Sequence, residues 1–487
     1  MGRIVKHINA YIICVLVLIT TFLIIHRNYF VVVDADFFGY LPEGMDILAL
    51  HPRNFQIPPF WPLVVAVCEK LLPLPYPGIT GAALLNILQF ACSAYLFWRI
   101  AKKYYGDHAI VLFALFITNI YVYLTHLRVV NNPAFTLLTL VIFWLEINKR
   151  PVAARLLAGI SFFVRVEGML LSVSFLVADI VYKRWKYIRY ELLTIGTNVL
   201  YWVLVVGIHN IFTAEISFKA TQIPDMHFFR RTFEVLPLGA PMPPHFLLWP
   251  GVLLWMCVGA FYFIKRGYTE YVIMTLYLTL YTVSHVLFPE TEDRYSYPIL
   301  WLVYLLSFWF IRVLQKKHRV IPLFFSAAVL GMFMLLRIPV IPQVSTNAFN
   351  KYYRAEVRYE ADYLKQIFVR TSVYHLHPWI LSYYTGNNAL RFPFVFRYTS
   401  VYDAVCANKS LSQQHLVLID SYSATTRDYF DTNLVGAGRF QSFASQQSFA
   451  PLCTTLATTI IKKYGWVKVY SVDPACACRQ KDSHIGK

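Results

Sequence analysis

Long apolar stretches recur along the first two thirds of the chain, between Ile8 and Pro342, and short polar connections separate them. Because the hydrocarbon core of a bilayer is about 30 Å thick, roughly 20 apolar residues in an α-helix cross it. The pattern therefore predicts membrane spans at about 8–26, 78–99, 107–125, 133–148, 190–211, 245–264, 269–288, 298–314 and 320–341.

Basic residues collect in alternate connections, which predicts the orientation of the spans, because Lys and Arg are enriched in cytoplasmic loops. The clusters are Arg3 and Lys6; Arg99, Lys102 and Lys103; Lys149, Arg150 and Arg155; Lys183, Arg184, Lys186 and Arg189; Lys265 and Arg266; and Arg312, Lys316, Lys317 and Arg319. No small-residue cleavage site follows the first apolar stretch before Arg27, so we interpret it as a retained span. The remaining connections, and residues 342–487, are then expected outside the cytoplasm.

This alternation holds only if the segment from Arg155 to Lys183 begins and ends in the cytoplasm, as two short apolar arms. The arms meet near Arg165-Val166-Glu167-Gly168, which brings the expected total to about 11 membrane helices. Charges at such a depth are costly and usually mark a functional cavity. A purely structural Arg165–Glu167 pair is the alternative.

The C-terminal region lacks apolar stretches and mixes helical and strand patterns, which predicts a small α/β domain. The domain boundary is expected near Pro342, between a membrane domain over 1–341 and an outer domain over 342–487. A polar helix is expected over Tyr353–Phe368, and strands over Leu416–Ile419 and Val467–Val472. An even number of cysteines lies there and suits disulfide bonds of open connectivity: Cys406, Cys453, Cys476 and Cys478.

Composition supports lipid as the solvent of this chain. Apolar residues make up 57 % and charged residues 14 %, and the mean hydropathy is +0.50. These values exclude an ordinary soluble enzyme. The net charge of +18 would suggest nucleic acid binding in a soluble protein, but here the basic residues lie in loops between spans. We therefore expect a cell-membrane protein that does not bind nucleic acid.

The first outer connection, about Arg27–Phe60, is long and rich in charged residues, namely Asp34, Asp36, Glu43, Asp46, His51 and Arg53. A carboxylate held near an acceptor hydroxyl can remove its proton. Coordination of a divalent cation, or simple solvation of these acids, is the alternative. The apolar run from Pro58 to Leu72 that follows is too short to span comfortably, so it predicts an interfacial helix.

Three further outer connections carry polar side chains. His126–Pro133 is interpreted as a solvated turn between spans. Residues 290–298 place Arg294 and Tyr295 at the start of a helix, where they could hold phosphate or sugar oxygens. An interfacial aromatic belt explains the tyrosines equally well. Lys219 lies in the connection from Phe212 to Pro244.

Four motifs, in this order, resemble those of the GT-C glycosyltransferases, in particular the branch of protein O-mannosyltransferases and the lipid A aminoarabinose transferase. Asp36-Phe37-Phe38-Gly39-Tyr40 resembles the acidic first-loop motif of that branch. Ile57-Pro58-Pro59-Phe60-Trp61-Pro62-Leu63 resembles its juxtamembrane helix. Residues 158–168 resemble its Gly-rich run ending in Thr-Arg-Pro-Glu-Gly, and Arg294-Tyr295-Ser296-Tyr297-Pro298 resembles its Arg-Tyr-x-x-Pro element.

The resemblance implies an inverting transferase that moves a sugar from a polyprenyl-phosphate carrier to an acceptor hydroxyl of a glycan, lipid or protein, outside the cytoplasm. It implies Asp36 as the general base with Asp34 beside it, and no resident metal or cofactor. The expected phosphate contacts are Arg165, Arg294 and Lys219. Substrate contacts are expected from Tyr40, Tyr295, Glu167 and His51.

The chain departs from the family pattern at two positions. Many members carry an acid in the turn after the third span, where this chain has Asn132, and Ala35 replaces the second acid of an Asp-Glu pair. A transporter or flippase would also place charges such as Arg165 and Glu167 at depth. No inverted repeat is visible, and the large outer domain suits a transferase better than a carrier. A scaffold that only anchors its C-terminal domain leaves the charged loops unexplained.

Overall fold

A computed structural model of the chain describes residues 35–50, 58–74, 77–206, 227–239, 248–287 and 295–317, four positions between 328 and 335, and residues 371–374, 414–420, 454–462, 465–473 and 475–476. Contacts divide the chain into two compact units, Met1–Asn347 and Ala348–Lys487. The first unit is helical in its described parts, and the described part of the second contains a sheet. The predicted helix Tyr353–Phe368 lies outside the described residues.

The first outer connection contains a helix that the sequence analysis treated as loop. Helix α1, Ala35–Leu48, packs on α2, Phe60–Leu71, which confirms the helix expected after Pro58. Tyr40 and Gly44 lie one turn apart on α1, and both are buried. A side chain at Gly44 would overlap the carbonyl of Pro62, so glycine permits the close approach of the two helices.

The next three spans become four helices. Helix α3 is Pro77–Tyr105, α4 is Ala109–Ile117, α5 is Ile120–Leu127 and α6 is Asn132–Ile147. The single span expected over 107–125 was wrong in one respect, because the helix breaks at Asn119. This residue is extended and its side chain caps α5 by accepting a hydrogen bond from the Tyr121 amide. Its amide group also donates to the carbonyl of Leu236 and to the Tyr304 hydroxyl.

The expected pair of short arms is confirmed. Helix α7, Pro151–Ser161, and helix α8, Gly168–Val181, are joined by a turn over residues 162–167. At 1.5 Å per residue, helices of this length extend only about 16–21 Å, well short of a bilayer core. We call the end of the membrane domain at this turn the apical end, and the opposite end the basal end.

The remaining described helices surround this pair. Helix α9, Trp185–Tyr201, continues into a π-helical turn, Trp202–Val206. Residues 227–238 form a short helical segment with a π-helical centre, which we call the 227–238 segment. Helices α10, Trp249–Lys265; α11, Glu270–Leu287; α12, Tyr297–Ser307; and α13, Trp309–Lys317, follow. The expected span 298–314 is therefore interrupted at Phe308.

A network of buried charges joins four helices at the basal end. Arg155 of α7 is completely buried and forms a bidentate pair with Asp179 of α8, with both N–O distances at 2.7 Å. The same guanidinium is 2.7 Å from Glu146 of α6 and 2.7 Å from Glu191 of α9. Arg155 was counted among the cytoplasmic loop charges, but its charge is balanced inside the protein. Arg184 extends the network from Glu146 to the Thr269 hydroxyl beside α11.

Large apolar side chains are exposed on the outer surface of the helices, as expected of a domain that lies in lipid. Leu193, Leu254 and Phe261 are each more than 60 % exposed. Among the described residues, two helical stretches are long and apolar enough to cross a membrane, Pro77–Ile117 and Tyr297–Leu314. Several others are apolar but shorter, such as α6, α8 and α10.

The described part of the second unit is a four-stranded sheet in the order β1-β2-β4-β3. Its strands are β1, Thr371–Tyr374; β2, Gln414–Asp420; β3, Thr454–Lys462; and β4, Gly465–Val472. β1 is parallel to β2, and the other pairs are antiparallel. The two strands expected from the sequence are confirmed within β2 and β4. Cys476, which follows β4, is disulfide-bonded.

Gly168 offers a test of the packing of the short pair. A methyl group there would overlap the backbone of Ser161 and Phe162 at the end of α7. Gly168→Ala is therefore expected to destabilise the protein by about 1–3 kcal/mol and to lower the midpoint of thermal unfolding in detergent. Gly196→Ala in α9 is the control, because no atom lies within 4 Å of the added methyl group. An unfolding midpoint of Gly168→Ala at or above that of the control would contradict this packing.

Candidate active site

The apical turn between α7 and α8 holds an Arg–Glu pair. The Nε of Arg165 donates to one carboxylate oxygen of Glu167 at 3.1 Å, and the Nη2 donates to the other oxygen. The turn is tight because the amide of Arg165 donates to the carbonyl of Ser161, four residues earlier, and the amide of Gly168 donates to the carbonyl of Arg165, three residues earlier. The bidentate geometry fixes both side chains against each other.

Asn131 holds the same guanidinium from a second direction. Its Oδ1 accepts a hydrogen bond from Nη1 of Arg165 at 3.1 Å, and its Nδ2 donates to the carbonyl of Val164 at 3.0 Å. The turn that contains Asn131 was expected to be solvated, and this was wrong. Val129 and Val130 are fully buried, and the Asn86 amide group donates to the carbonyl of Val130. The turn is part of the apical packing because its amide side chains satisfy buried backbone groups.

His285, near the end of α11, faces Glu167 from the opposite side. Its Nε2 lies 3.6 Å from a carboxylate oxygen of Glu167. Its Nδ1 lies 2.9 Å from the carbonyl of Tyr281, so this nitrogen is the donor, because a carbonyl oxygen only accepts. The ring stacks between Phe228 and Tyr281, at centroid distances of 4.9 and 4.3 Å. His285 thus has little freedom to move.

Tyr295 closes the cluster. The guanidinium of Arg165 lies 5.2 Å from the centre of its ring, a cation–π distance. Its backbone carbonyl accepts a hydrogen bond from the hydroxyl of Tyr281 at 2.6 Å. We call Arg165, Glu167, Asn131, His285 and Tyr295 the apical cluster. Glu167 and Tyr295 are the members that keep partly exposed surface.

The apical cluster brings together three of the residues that the sequence singled out, Arg165, Glu167 and Tyr295. Tyr40 is buried on α1. Asp36 is the second residue of α1, and the structure describes its backbone only. Asp34, His51, Lys219 and Arg294 lie outside the described residues, although Arg294 directly precedes Tyr295 in the chain.

The electrostatics of the cluster limit what Arg165 can do. Three of its five N–H groups are committed to Glu167 and Asn131, and 7 % of the residue is exposed. A charge pair of this kind in a low-dielectric setting is strongly held. The arrangement is suited to fixing the geometry of the turn, and Glu167 and Tyr295 keep partly exposed surface.

No cluster of three or more His, Cys, Asp or Glu side chains suited to a metal ion occurs in the part of the chain that the structure describes. Asp34 lies outside that part and Asp36 is described by its backbone only, so a cation held by these two acids stays a prediction.

Sequence reasoning missed His285 and Asn131. His285 lies inside an apolar helix, and only its position two residues before the end of α11 indicated that it reaches the apical end. The sequence analysis named the neighbouring Asn132, which stands where many GT-C members carry an acid, and did not single out Asn131. Each of the two is a polar residue at the end of a predicted span, which the sequence shows. The sequence does not show which residue each of them contacts.

The helical first unit, with its short helix pair, charged apical turn and the packed helix Ala35–Leu48, has a fold that is similar to known structures. Two solved structures that are similar to the chain belong to ArnT from Cupriavidus metallidurans. The structure bound to undecaprenyl phosphate has a TM-score of 0.54 and 12 % sequence identity, and the alignment covers 96 % of this chain and 98 % of ArnT. The apo structure gives a TM-score of 0.51 and 12 % identity, and the alignment covers 97 % of this chain and 99 % of ArnT.

No protein-family model matches the sequence, and no curated protein is detectably similar to it. The likeness to ArnT is therefore one of fold.

Arg165→Lys tests the apical pair. Lysine keeps the positive charge but loses the planar fork that serves Glu167 and Asn131 together. We expect a loss of stability of about 1–3 kcal/mol, measured as a lower unfolding midpoint in detergent. Arg99→Lys is the matched control, because Arg99 is exposed on α3 and, among the described residues, its hydrogen bond is to the Tyr95 hydroxyl. Equal midpoints for the two variants would argue against the bidentate arrangement.

Proposed function

We propose that this protein is a membrane glycosyltransferase that transfers a sugar from a polyprenyl-phosphate carrier to an acceptor hydroxyl. The observation that carries the proposal is the likeness of fold to ArnT over nearly the whole of both chains. The ArnT structure was solved with bound undecaprenyl phosphate. The partly buried charged cluster at the end of the helix pair supports it, because such groups in a membrane domain usually serve a substrate site.

In the proposed reaction, Asp36 accepts the proton of the acceptor hydroxyl as its oxygen attacks the anomeric carbon of the sugar. The bond between that carbon and the carrier phosphate breaks, the phosphate leaves with the electron pair, and the configuration inverts. Asp36 is the second residue of α1, which packs on α2, so its backbone is part of a packed helix. Asp34 is proposed to assist it.

The cationic side chains are proposed to stabilise the departing phosphate. Arg294 and Lys219 are the preferred contacts, because the guanidinium of Arg165 is largely committed to Glu167 and Asn131. In this division Arg165 contributes its charge and fixes the turn, and Glu167 with Tyr295 offers oxygen and ring contacts to the sugar. Tyr40 and His51 are proposed as further substrate contacts.

The proposed site lies on the extracytoplasmic side of the cell membrane. The positive-inside pattern supports this side for the apical end, and the disulfide-bonded Cys476 suits an oxidising compartment for the second unit. A transporter or flippase of lipid-linked substrates is the alternative, which a transfer assay separates from the enzyme.

Asp36→Asn should lower the turnover number by about 100-fold or more, because a proton acceptor of this kind contributes 10²–10⁴ to a rate. The measurement is sugar transfer by the purified protein from a polyprenyl-phosphate sugar, with a pool of lipid and glycan acceptors. Asp107→Asn, at an exposed turn before α4, is the matched control and should turn over normally. Turnover of Asp36→Asn within a few-fold of the control would exclude Asp36 as the base.

Transfer should persist after exhaustive treatment with EDTA, because a phosphate is already a good leaving group and needs no Lewis acid. Initial rates before and after chelation, with Mg²⁺ or Mn²⁺ added back, measure this. A loss on chelation that either ion restores would instead assign the acidic first loop to a divalent cation.

A further inference from the structure

Three of the described turns at the basal end have the same backbone geometry. The second residue after the helix has a positive φ, which is 60° at Lys149, 53° at Lys183 and 82° at Gly267. In each turn the amide of this residue donates to the carbonyl three residues earlier, and the next amide donates to the carbonyl five residues before it. This pair of hydrogen bonds is a common way for a helix to end.

Lysine is an unusual residue at such a position. A Cβ atom is disfavoured at positive φ, so glycine is the usual residue, as in the turn between α10 and α11. The two turns that carry lysine instead lie next to each other. Arg184, which follows Lys183, is 3.0 Å from Glu146, and Glu146 lies one helical turn before Lys149. A lysine kept twice where glycine is less strained indicates that the two side chains serve more than the turn.

The acids of this end point inward, and the cations are left at the surface. Glu146, Asp179 and Glu191 are all within 2.7 Å of Arg155 in the interior. Five cations around the two turns are exposed, and within the described part of the chain no ion pair joins them to an acid: Lys149, Arg150, Lys183, Lys186 and Arg189. We call these five residues the basal basic surface. Its positive charge is open to an anion from outside the protein.

The exposed face of α9 changes from charged to apolar within one helical turn. Trp185 is 65 % exposed, and Lys186 and Arg189 follow it as exposed cations. Leu192 and Leu193 are then 57 % and 63 % exposed. A tryptophan and cations at the end of an apolar helical surface are typical of the membrane–water interface. This order indicates that the basal basic surface lies at the level of lipid headgroups.

We propose that the basal basic surface binds an anionic phospholipid, with the charged headgroup against Lys149 and Lys183 and the acyl chains along the exposed leucines of α9. A lipid is the occupant that fits both features, because a phosphate without acyl chains would use the cations alone. The site lies at the end of the membrane domain opposite the apical cluster, so the inference does not depend on the proposed function.

The rival explanation is a diffuse positive surface that attracts any anionic membrane in proportion to its charge. Two double variants separate the explanations. Lys149→Gly with Lys183→Gly removes both lysines and keeps the backbone, because glycine adopts positive φ readily. Lys265→Gln with Arg266→Gln is the matched control, because it removes two exposed cations beside the glycine turn at the same end.

The experiment measures the unfolding midpoint of the purified full-length protein in detergent while phosphatidylglycerol is titrated. The ionic strength is about 0.15 M, at which charges more than about 8 Å apart are largely screened. Phosphatidylglycerol is expected to stabilise the wild-type protein, and phosphatidylcholine with the same acyl chains is not. The double glycine variant is expected to need about tenfold more phosphatidylglycerol, the scale of two cations beside anionic lipid. The control is expected to need less than about threefold more.

Without lipid, the double glycine variant is expected to unfold within about 2 °C of wild type. Relief of strain at positive φ offsets the added freedom of the unfolded chain. If this variant does not fold, Lys149→Asn with Lys183→Asn replaces it, because asparagine also tolerates the left-handed backbone.

Three results would overturn the proposal: an unchanged phosphatidylglycerol requirement for the double glycine variant, an equal loss in the control, or equal stabilisation by phosphatidylcholine. Glycerol 3-phosphate is the probe for a soluble phosphate ligand and is expected to give no shift. A shift as large as that with phosphatidylglycerol would show that the acyl chains are not needed, and the lipid would no longer be the ligand.

Discussion

The helix arrangement depends on one buried guanidinium. Arg155 has no exposed surface and lies inside a domain whose outer surface is largely apolar. Removing a cation from water costs several kcal/mol unless anions offset its charge. Asp179 and Glu146 accept hydrogen bonds from the guanidinium, and Glu191 adds a third carboxylate at 2.7 Å. The ring of Phe175 on α8 lies 4.9 Å from the guanidinium carbon of Arg155, and the ring of Tyr187 on α9 lies 4.7 Å from it. Helices α6 to α9 are joined at the basal end because displacement of any one of them would separate Arg155 from a carboxylate partner.

A second, smaller cluster of charged and polar side chains joins the helices at the apical end. Arg165 and Glu167 pair within one turn, and Asn131 and His285 approach from α6 and α11. The helix pair α7–α8 is thus tied at both ends, although it is too short to cross the bilayer. The proposed transfer reaction requires polar groups where a lipid-linked and a water-borne substrate can meet, and a stiff, short helix pair with a charged turn suits that requirement.

The candidate site could be predicted in part. Arg165 and Glu167 stood out in the sequence because charges between two apolar arms are rare and costly. Their mutual pairing follows from a separation of two residues. Asn131 and His285 did not stand out, because each is a polar residue at the end of an apolar helix and its importance comes from the neighbour it meets. The charged residue Arg155 was assigned to a loop, since a positive charge near the end of a span is normally cytoplasmic and solvated.

The sequence by itself determined the membrane class, the short helix pair, the helix after Pro58 and the strands near 416 and 467, because apolar length and residue alternation are local properties. It missed the helix Ala35–Leu48 and the break at Asn119, where contacts with α2 and with Leu236 and Tyr304 override the local pattern. Only the tertiary structure decided that Arg155 meets Asp179 and that Glu167 meets His285. Which charges become partners depends on how helices far apart in sequence pack, and burial then forces each charge to find its counterpart.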